Sequence, residues 1–240
     1  DGLPQASARM NAAVLRAPEA MRLSRPLRAV LFDLDGTLVD SAPDLAGATN
    51  EMLLARALPP LPLEQLRPMA GAGARGMMGL AFQVTPQDQR FEALKAEFFD
   101  RYEARLLRET RAFDGVEALL DGLESLGLGW GIVTNKSERF ALRLTAGLGL
   151  AQRAVAVIGG DTTPHAKPHP EPYLMAAAAL GVEARACLVV EDSLAGTRSG
   201  VAAGMHVLYW PEAIPAAIPD GSATCVRSAA ELETLLQRLL

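Results

Sequence analysis

Cysteine is nearly absent from this chain: Cys187 and Cys225 are the two among 240 residues. Two are too few for a disulfide framework and stand at no metal-knuckle spacing, a usage that fits a reducing, cytoplasmic compartment. Cationic charge is in deficit, with 23 Lys+Arg against 28 Asp+Glu and a formal net charge of −5. No broad basic footprint is therefore available for nucleic acid or for an anionic membrane. No run approaches the roughly 18 apolar residues that a membrane-spanning helix needs. The first 27 residues contain Arg9, Arg16, Arg22 and Arg25 but no apolar block of about seven residues, so no secretory signal is expected. Residues 1–27 are set aside as an N-terminal extension without an assigned function. No internal repeat is present either.

What is present is strongly patterned. Half of the residues are hydrophobic, and the length suits one large domain, or one domain carrying a smaller insertion, with a real core. Ala29-Val30-Leu31-Phe32 is a short apolar run that ends abruptly in Asp33, the pattern of a strand buried on both faces. Similar runs recur at Leu128–Val133, Ala154–Ile158, Cys187–Val190 and His206–Tyr209. Helical text separates them at Val116–Ser125, Glu138–Leu148, Glu171–Leu180 and Leu194–Ala203, and a serine-capped helix over Ser228–Leu240 closes the chain. This alternation predicts an α/β fold, a doubly wound parallel sheet with helices on both sides. One segment breaks the rhythm. From Pro43 to Ala112 the text is helical, at Asp44–Ala57, Leu63–Met69, Arg75–Phe82 and Pro86–Leu107, with no strand. The expected organisation is a core of residues 28–42 and 113–240 with a small helical cap at 43–112. An insertion leaving the carboxyl end of the first strand is placed as a lid, because open α/β sheets bind ligands there.

Chemistry concentrates at the strand ends. Asp33 and Asp35 lie two apart after the first strand, in Asp33-Leu34-Asp35-Gly36-Thr37. Acids this close repel unless a cation or a shared proton relieves them. Oxygen-only ligands of this kind suit Mg²⁺, which is usually held by one or two carboxylates plus a phosphate. The alternative for such a pair alone is a turn in which both acids cap backbone amides. The second run ends in Thr134-Asn135, a pattern that a helix cap would also give. Lys167 stands in Ala166-Lys167-Pro168-His169-Pro170-Glu171-Pro172, where prolines stiffen the backbone and an ammonium could meet a phosphoryl oxygen or Asp33. A further run ends in Glu191-Asp192-Ser193. Four strand ends thus present carboxylates, hydroxyl, ammonium and carboxylates along the ligand edge of one sheet.

In this order the four groups resemble the motifs of the haloacid dehalogenase-like hydrolases, over nearly everything from Leu27 onward. The text FDLDGTLVDSAPDL, ending at Leu45, is similar to phosphoglycolate phosphatases with a helical cap of the first type. The resemblance implies a Mg²⁺-dependent phosphatase for a small phosphorylated metabolite, 2-phosphoglycolate or a sugar phosphate. It also implies roles for the residues. Asp33 is the nucleophile that forms an aspartyl-phosphate, and Asp35 is the acid and base. Thr134, Asn135 and Lys167 hold the transferring oxygens. Asp33, Asp35 (through its carbonyl) and Asp192 hold the metal, with Glu191 behind them orienting Lys167 or a metal-bound water. Asp35 separates this reading from the dehalogenases, whose halide leaving groups need no proton.

The match departs at the fourth motif. Phosphoglycolate phosphatases usually show Gly-Asp-x-x-x-Asp, whereas this chain has Glu191-Asp192-Ser193 followed by Gly196, a form closer to β-phosphoglucomutases and related sugar-phosphate phosphatases. A mutase is therefore one alternative, and Thr37 counts against it. The segment Gly71-Ala72-Gly73-Ala74-Arg75-Gly76 matches G-x-G-x-x-G literally, but no strand precedes it and a dinucleotide reading is rejected. Arg75 becomes a candidate for binding a substrate carboxylate or hydroxyl. The same text is similar to N-acetylmuramic acid 6-phosphate phosphatases, the other alternative. His165 and His169 flank Lys167 without a partner at metal spacing and are taken as loop residues, and His206 as structural. Cys187 is expected to be buried and inert. Met77, Met78, Phe98 and Phe99 are assigned to packing within the cap, and Trp210, near the end of the last strand, is taken as structural, with the rim of the pocket as its alternative. The chain is expected to act as a monomer or homodimer.

Overall fold

The computed structural model describes residues 26–210 and 223–225. The N-terminal extension and the expected helix at Ser228–Leu240 lie outside the described residues. The first strand, β1 (Ala29–Phe32), is buried along its whole length. It runs into a tight turn at Gly36 and a two-residue strand, β2 (Val39–Asp40). Four helices follow: α1 (Ala42–Leu54), α2 (Leu63–Leu66), α3 (Gly73–Phe82) and α4 (Phe91–Arg105), with a 3₁₀ stretch over Arg67–Ala72. The chain returns along β3 (Arg111–Ala112), antiparallel to β2. This strand was not expected within the helical segment. It forms because entry and exit must run side by side, and Asp44 ties them together. Its carboxylate, fully buried, accepts from Thr110 N (2.9 Å), Thr110 Oγ1 (2.8 Å) and Glu109 N (3.1 Å).

The alternation then proceeds as the sequence predicts, through α5 (Val116–Ser125), β4 (Gly129–Val133), α6 (Glu138–Gly147), β5 (Ala156–Ile158), α7 (Glu171–Ala179), β6 (Cys187–Glu191), α8 (Leu194–Ala202) and β7 (His206–Tyr209). A further strand, β8 (Ala223–Cys225), pairs with β7 and was not foreseen. The main sheet has the order β5-β4-β1-β6-β7-β8, and its strands pair in parallel. Because β1 lies between β4 and β6, its carboxyl end is the point where the winding reverses, the position at which such sheets open a crevice.

Alternation along β1 shows why the strands are apolar throughout. Val30 and Phe32 pack with Trp130, Leu188, Leu120 and Leu144 on one face, while Ala29 and Leu31 pack with Val189, Tyr173 and Ala176 on the other. A separate cluster joins α1, α3 and α4 through Leu45, Met52, Met77, Met78, Phe98 and Tyr102. Phe140 of α6 enters this cluster and meets the rings of Phe99 and Tyr102 at 5.4 and 5.2 Å. Full burial of one such ring contributes about 2–3 kcal/mol, so Phe140 is an anchor between the inserted helices and the sheet layer. Among the described residues no helix is long and apolar enough to cross a membrane.

Candidate active site

The ends of β1, β4 and β6 and the loop between β5 and α7 converge on one group of charges. Asp33 continues the ladder, its amide donating to Val190 O at 3.0 Å, and so its side chain leaves the sheet edge in a fixed direction. Gly36, at φ +91°, makes the turn that follows, and a Cβ there would overlap the Asp192 carboxylate. Glycine is needed twice at this position, for the left-handed backbone and for the close approach of an acid.

Lys167 is the hub. Its ammonium, buried, donates to Glu191 Oε1 at 2.5 Å, Asp33 Oδ1 at 2.7 Å and Val133 O at 2.9 Å, which satisfies all three protons. Asn135 fixes the backbone that carries it: Asn135 Nδ2 donates to Lys167 O and Lys167 N donates to Asn135 Oδ1, both at 3.0 Å. Glu191 is fully buried and saturated. Besides Lys167 it accepts from Tyr173 OH (2.8 Å) on Oε1 and from Ser193 Oγ (2.9 Å) on Oε2. Thr134 is buried at the end of β4, and its Oγ1 accepts from Lys136 N at 3.1 Å.

Asp35 points elsewhere. Both of its carboxylate oxygens accept from Lys136 Nζ at 3.1 Å, and Ser41 Oγ donates to Oδ1. Lys136 in turn lies under the Tyr102 ring of α4, 4.8 Å from its centroid. Ser41 sits at the start of α1 but spends its hydroxyl on Asp35 instead of capping the helix.

The two acids of the first motif therefore occupy different environments. Burial, opposed by Lys167 and reinforced by Glu191, raises the Asp33 carboxyl to about 7. Burial together with Asp33 and Glu191 lifts Asp192 to about 9. Burial opposes charge on Lys167, yet Asp33 and Glu191 outweigh it and hold the ammonium above its ordinary range. Lys136 behaves likewise, with Asp35 overcoming burial.

Could this cluster hold a cation? Asp33, Glu191 and Asp192 each place a carboxylate oxygen within 4.8 Å of the others, and Asp192 Oδ1 is buried without a hydrogen-bond partner among the described residues. Four carboxylates (Asp33, Asp35, Glu191 and Asp192) face two ammonium groups, and one dication would balance the difference. The donor set is oxygen only. It fits Mg²⁺ and gives a soft metal no ligand. The carboxylate of Asp35 is committed to Lys136, which leaves its backbone carbonyl as its donor.

One expectation changes. His165 and His169 do have a partner, because the turn into α7 brings Glu171 to both. Trp210 packs against the apolar core, and its amide donates to Glu191 O at 2.6 Å. Arg75 is exposed in the first turn of α3. Sequence reasoning missed Lys136, Ser41 and Tyr173. Lys136 directly follows Thr134-Asn135 in a strand-end turn, and that position was its one signal. Tyr173 carries no signal, since a tyrosine facing a sheet from a helix reads as core.

The fourth-motif departure acquires a cause here. A Cβ at Gly196 would come closer than 3.0 Å to the carboxyl atoms of Glu191. An acid at 196 and an acid at 191 claim the same space, so a chain with Glu191 needs glycine four residues after Asp192.

Comparison with known proteins adds the decisive observation: residues 27–204 match the family model for haloacid dehalogenase-like hydrolases. The chain belongs to this family. Relatives of this haloacid dehalogenase-like hydrolase include a phosphoglycolate phosphatase of Xanthomonas campestris, 49% identical over 178 residues, covering 74% of this chain and 80% of that one. An N-acetylmuramic acid 6-phosphate phosphatase of Pseudomonas aeruginosa is 40% identical, over 74% and 79% of the two chains. Among solved structures, a predicted phosphoglycolate phosphatase of Haemophilus somnus superposes with a TM-score of 0.68 at 26% identity, over 78% of this chain and 86% of that one.

Proposed function

We propose that this hydrolase is a phosphatase for small phosphate monoesters, 2-phosphoglycolate first among them, working through an aspartyl-phosphate on Asp33. The carrying observation is the split environment of the two acids, with Asp33 bound to Lys167 through Oδ1 and Asp35 held apart by Lys136 and Ser41. Asp33 attacks phosphorus, the ester P–O bond breaks, and Asp35 gives its proton to the leaving oxygen. Asp35 then takes a proton from water, which attacks the phosphoryl group, breaks its bond to Asp33 and releases inorganic phosphate. Thr134 and the amide of Asn135 bind the transferring oxygens, and Lys167 joins them by exchanging its bond to Asp33 Oδ1 for one to a phosphoryl oxygen. Arg75 reaches the rest of the substrate, and helices α1–α4, residues 43–112 with their stems, act as the cap that excludes water. Asp33, Asp192 and the Asp35 carbonyl would hold Mg²⁺, with Glu191 saturated behind them. When bound, Mg²⁺ supplies charge neutralisation that lets an anionic ester approach. The 40% identity to an N-acetylmuramic acid 6-phosphate phosphatase, together with Gly73-Ala74-Arg75, supports that ester as the second reading. Cys187, buried and free, is consistent with a cytoplasmic setting, and the working unit is a monomer or homodimer.

Phosphate release from 2-phosphoglycolate, N-acetylmuramate 6-phosphate and hexose phosphates, with Mg²⁺ and with EDTA, tests the proposal. One preferred ester is expected, with turnover lost in Asp33→Asn while its melting curve stays sharp. Turnover by Asp33→Asn at the wild-type rate would overturn it.

A further inference from the structure

We propose that His165, His169 and Glu171 form a second metal site, for a transition-metal dication of the Zn²⁺ or Ni²⁺ class, on the exposed side of the loop that presents Lys167. The donor chemistry differs in kind from the acidic cluster. Two imidazoles and one carboxylate suit borderline metals and discriminate against Mg²⁺.

The geometry is already close to that of a ligand set. His165 Nδ1 lies 3.1 Å from Glu171 Oε2, His169 Nδ1 lies 3.8 Å from the same oxygen, and one ligand atom from each residue falls within 4.8 Å of the others. A tetrahedral centre with bonds of about 2.0–2.1 Å separates its ligands by roughly 3.4 Å, so side-chain adjustment alone closes the site. The two rings lie against each other, centroids 4.5 Å apart and planes at 30°.

The backbone beneath is fixed at all three positions. Thr163 Oγ1 donates to His165 O (2.8 Å), His169 N to Ala166 O (3.0 Å) and Ser199 Oγ to His169 O (2.5 Å), while Glu171 opens α7. Pro168 and Pro170 flank His169 and restrict it further. Two hydrogen bonds are to be given up, between His165 Nδ1 and Glu171 Oε2 at 3.1 Å and from Glu171 N to His169 Nδ1, long at 3.3 Å. Both histidines are exposed, so a metal from solution needs no opening of the fold. The fourth position faces solvent and takes water. A dication bound here would clamp residues 165 and 171 on either side of Lys167 and stiffen the loop from which the ammonium projects.

The test exploits the histidine count, because His206 is the only other histidine in the chain. Untagged wild type, His165→Ala, His169→Ala and His206→Ala are titrated calorimetrically with Zn²⁺ and with Ni²⁺, all in excess Mg²⁺ to occupy the acidic cluster. The expected result is one equivalent bound by wild type and by His206→Ala, with a raised melting temperature. Either loop variant should weaken binding by at least about tenfold. Affinity should fall on acidification, since the imidazoles must be neutral to bind. Absence of binding, or equal binding by the loop variants, would overturn the site. Phosphatase activity plays no part in this readout, so failure of the catalytic proposal would leave it standing.

Discussion

A single methyl group at Gly196 should discriminate the arrangement of acids in this site. Gly196 is buried in the first turn of α8, in ordinary helical backbone, and the three atoms nearest to a Cβ there are Oε1, Cδ and Oε2 of Glu191, all closer than 3.0 Å. That carboxylate cannot swing aside at will, because it holds Lys167 at 2.5 Å, Tyr173 at 2.8 Å and Ser193 at 2.9 Å. Gly196→Ala forces a choice. Either the helix shifts, an overpacking cost of about 1–3 kcal/mol, or the buried ionic network opens, a cost of about 3–5 kcal/mol. The cheaper response sets the loss, and with an overlap this deep we expect its upper end, about 3 kcal/mol. At roughly 2–4 °C per kcal/mol for a chain of this size, the melting temperature should fall by roughly 6–12 °C. In a Glu191→Ala background the obstruction is gone. There the same substitution should stabilise by about 0.5–1 kcal/mol, since alanine is the better helix former. The effect of one methyl thus changes sign with the partner residue. Urea and thermal unfolding of the wild type, both single variants and the double variant measure the coupling directly. A Gly196→Ala protein within about 1 kcal/mol of wild type, or an equal cost in both backgrounds, would refute the reasoning.

Two further outcomes follow from the charges. Asp33 and Asp192 bind protons more tightly in the folded state than at their ordinary value of 3.8, up to about 7 and about 9. Without a divalent cation, the contribution of these two groups to stability is therefore fullest in acid and declines as pH rises towards 9, because the unfolded chain ionises them freely and the folded site resists. Melting in EDTA should accordingly be lower at pH 8.5 than at pH 6, and Mg²⁺ should raise it more at pH 8.5, where more of the site can ionise; a larger Mg²⁺ shift at pH 6 would contradict this. Lys136→Met removes both hydrogen bonds to Asp35 and the contact with the Tyr102 ring. The kcat for the preferred ester should drop on the order of tenfold or more, as expected for a displaced acid–base group, and steady-state kinetics showing an unchanged kcat would mean that Ser41 alone suffices to hold Asp35.

The parallel order of the sheet and the ends of its strands were readable because a strand buried on both faces leaves a continuous apolar run, and the first polar residue after the run marks the ligand edge. Asp33, Thr134 and Glu191 stand at such positions, with Asp192 next in line, and Lys167 is marked by the prolines around it. Two of the residues that escaped notice, Lys136 and Tyr173, act on partners far away in sequence. Lys136 meets Asp35 across 101 positions, and Tyr173 meets Glu191 from a helix whose other buried residues are apolar. Neither pairing has a local periodicity, since each exists only after the sheet has assembled. The short β3 strand and the Asp44–Thr110 contact belong to the same class, because closure of an insertion shows in no window shorter than the insertion itself. Gly196 is the instructive intermediate. Its place four residues after Asp192 was visible as a departure from the family pattern, but the reason is steric and needs Glu191's carboxylate in three dimensions. The exchange of an acid from one side of Asp192 to the other therefore reads as one event, in which position 191 and position 196 compete for a single volume beside Lys167.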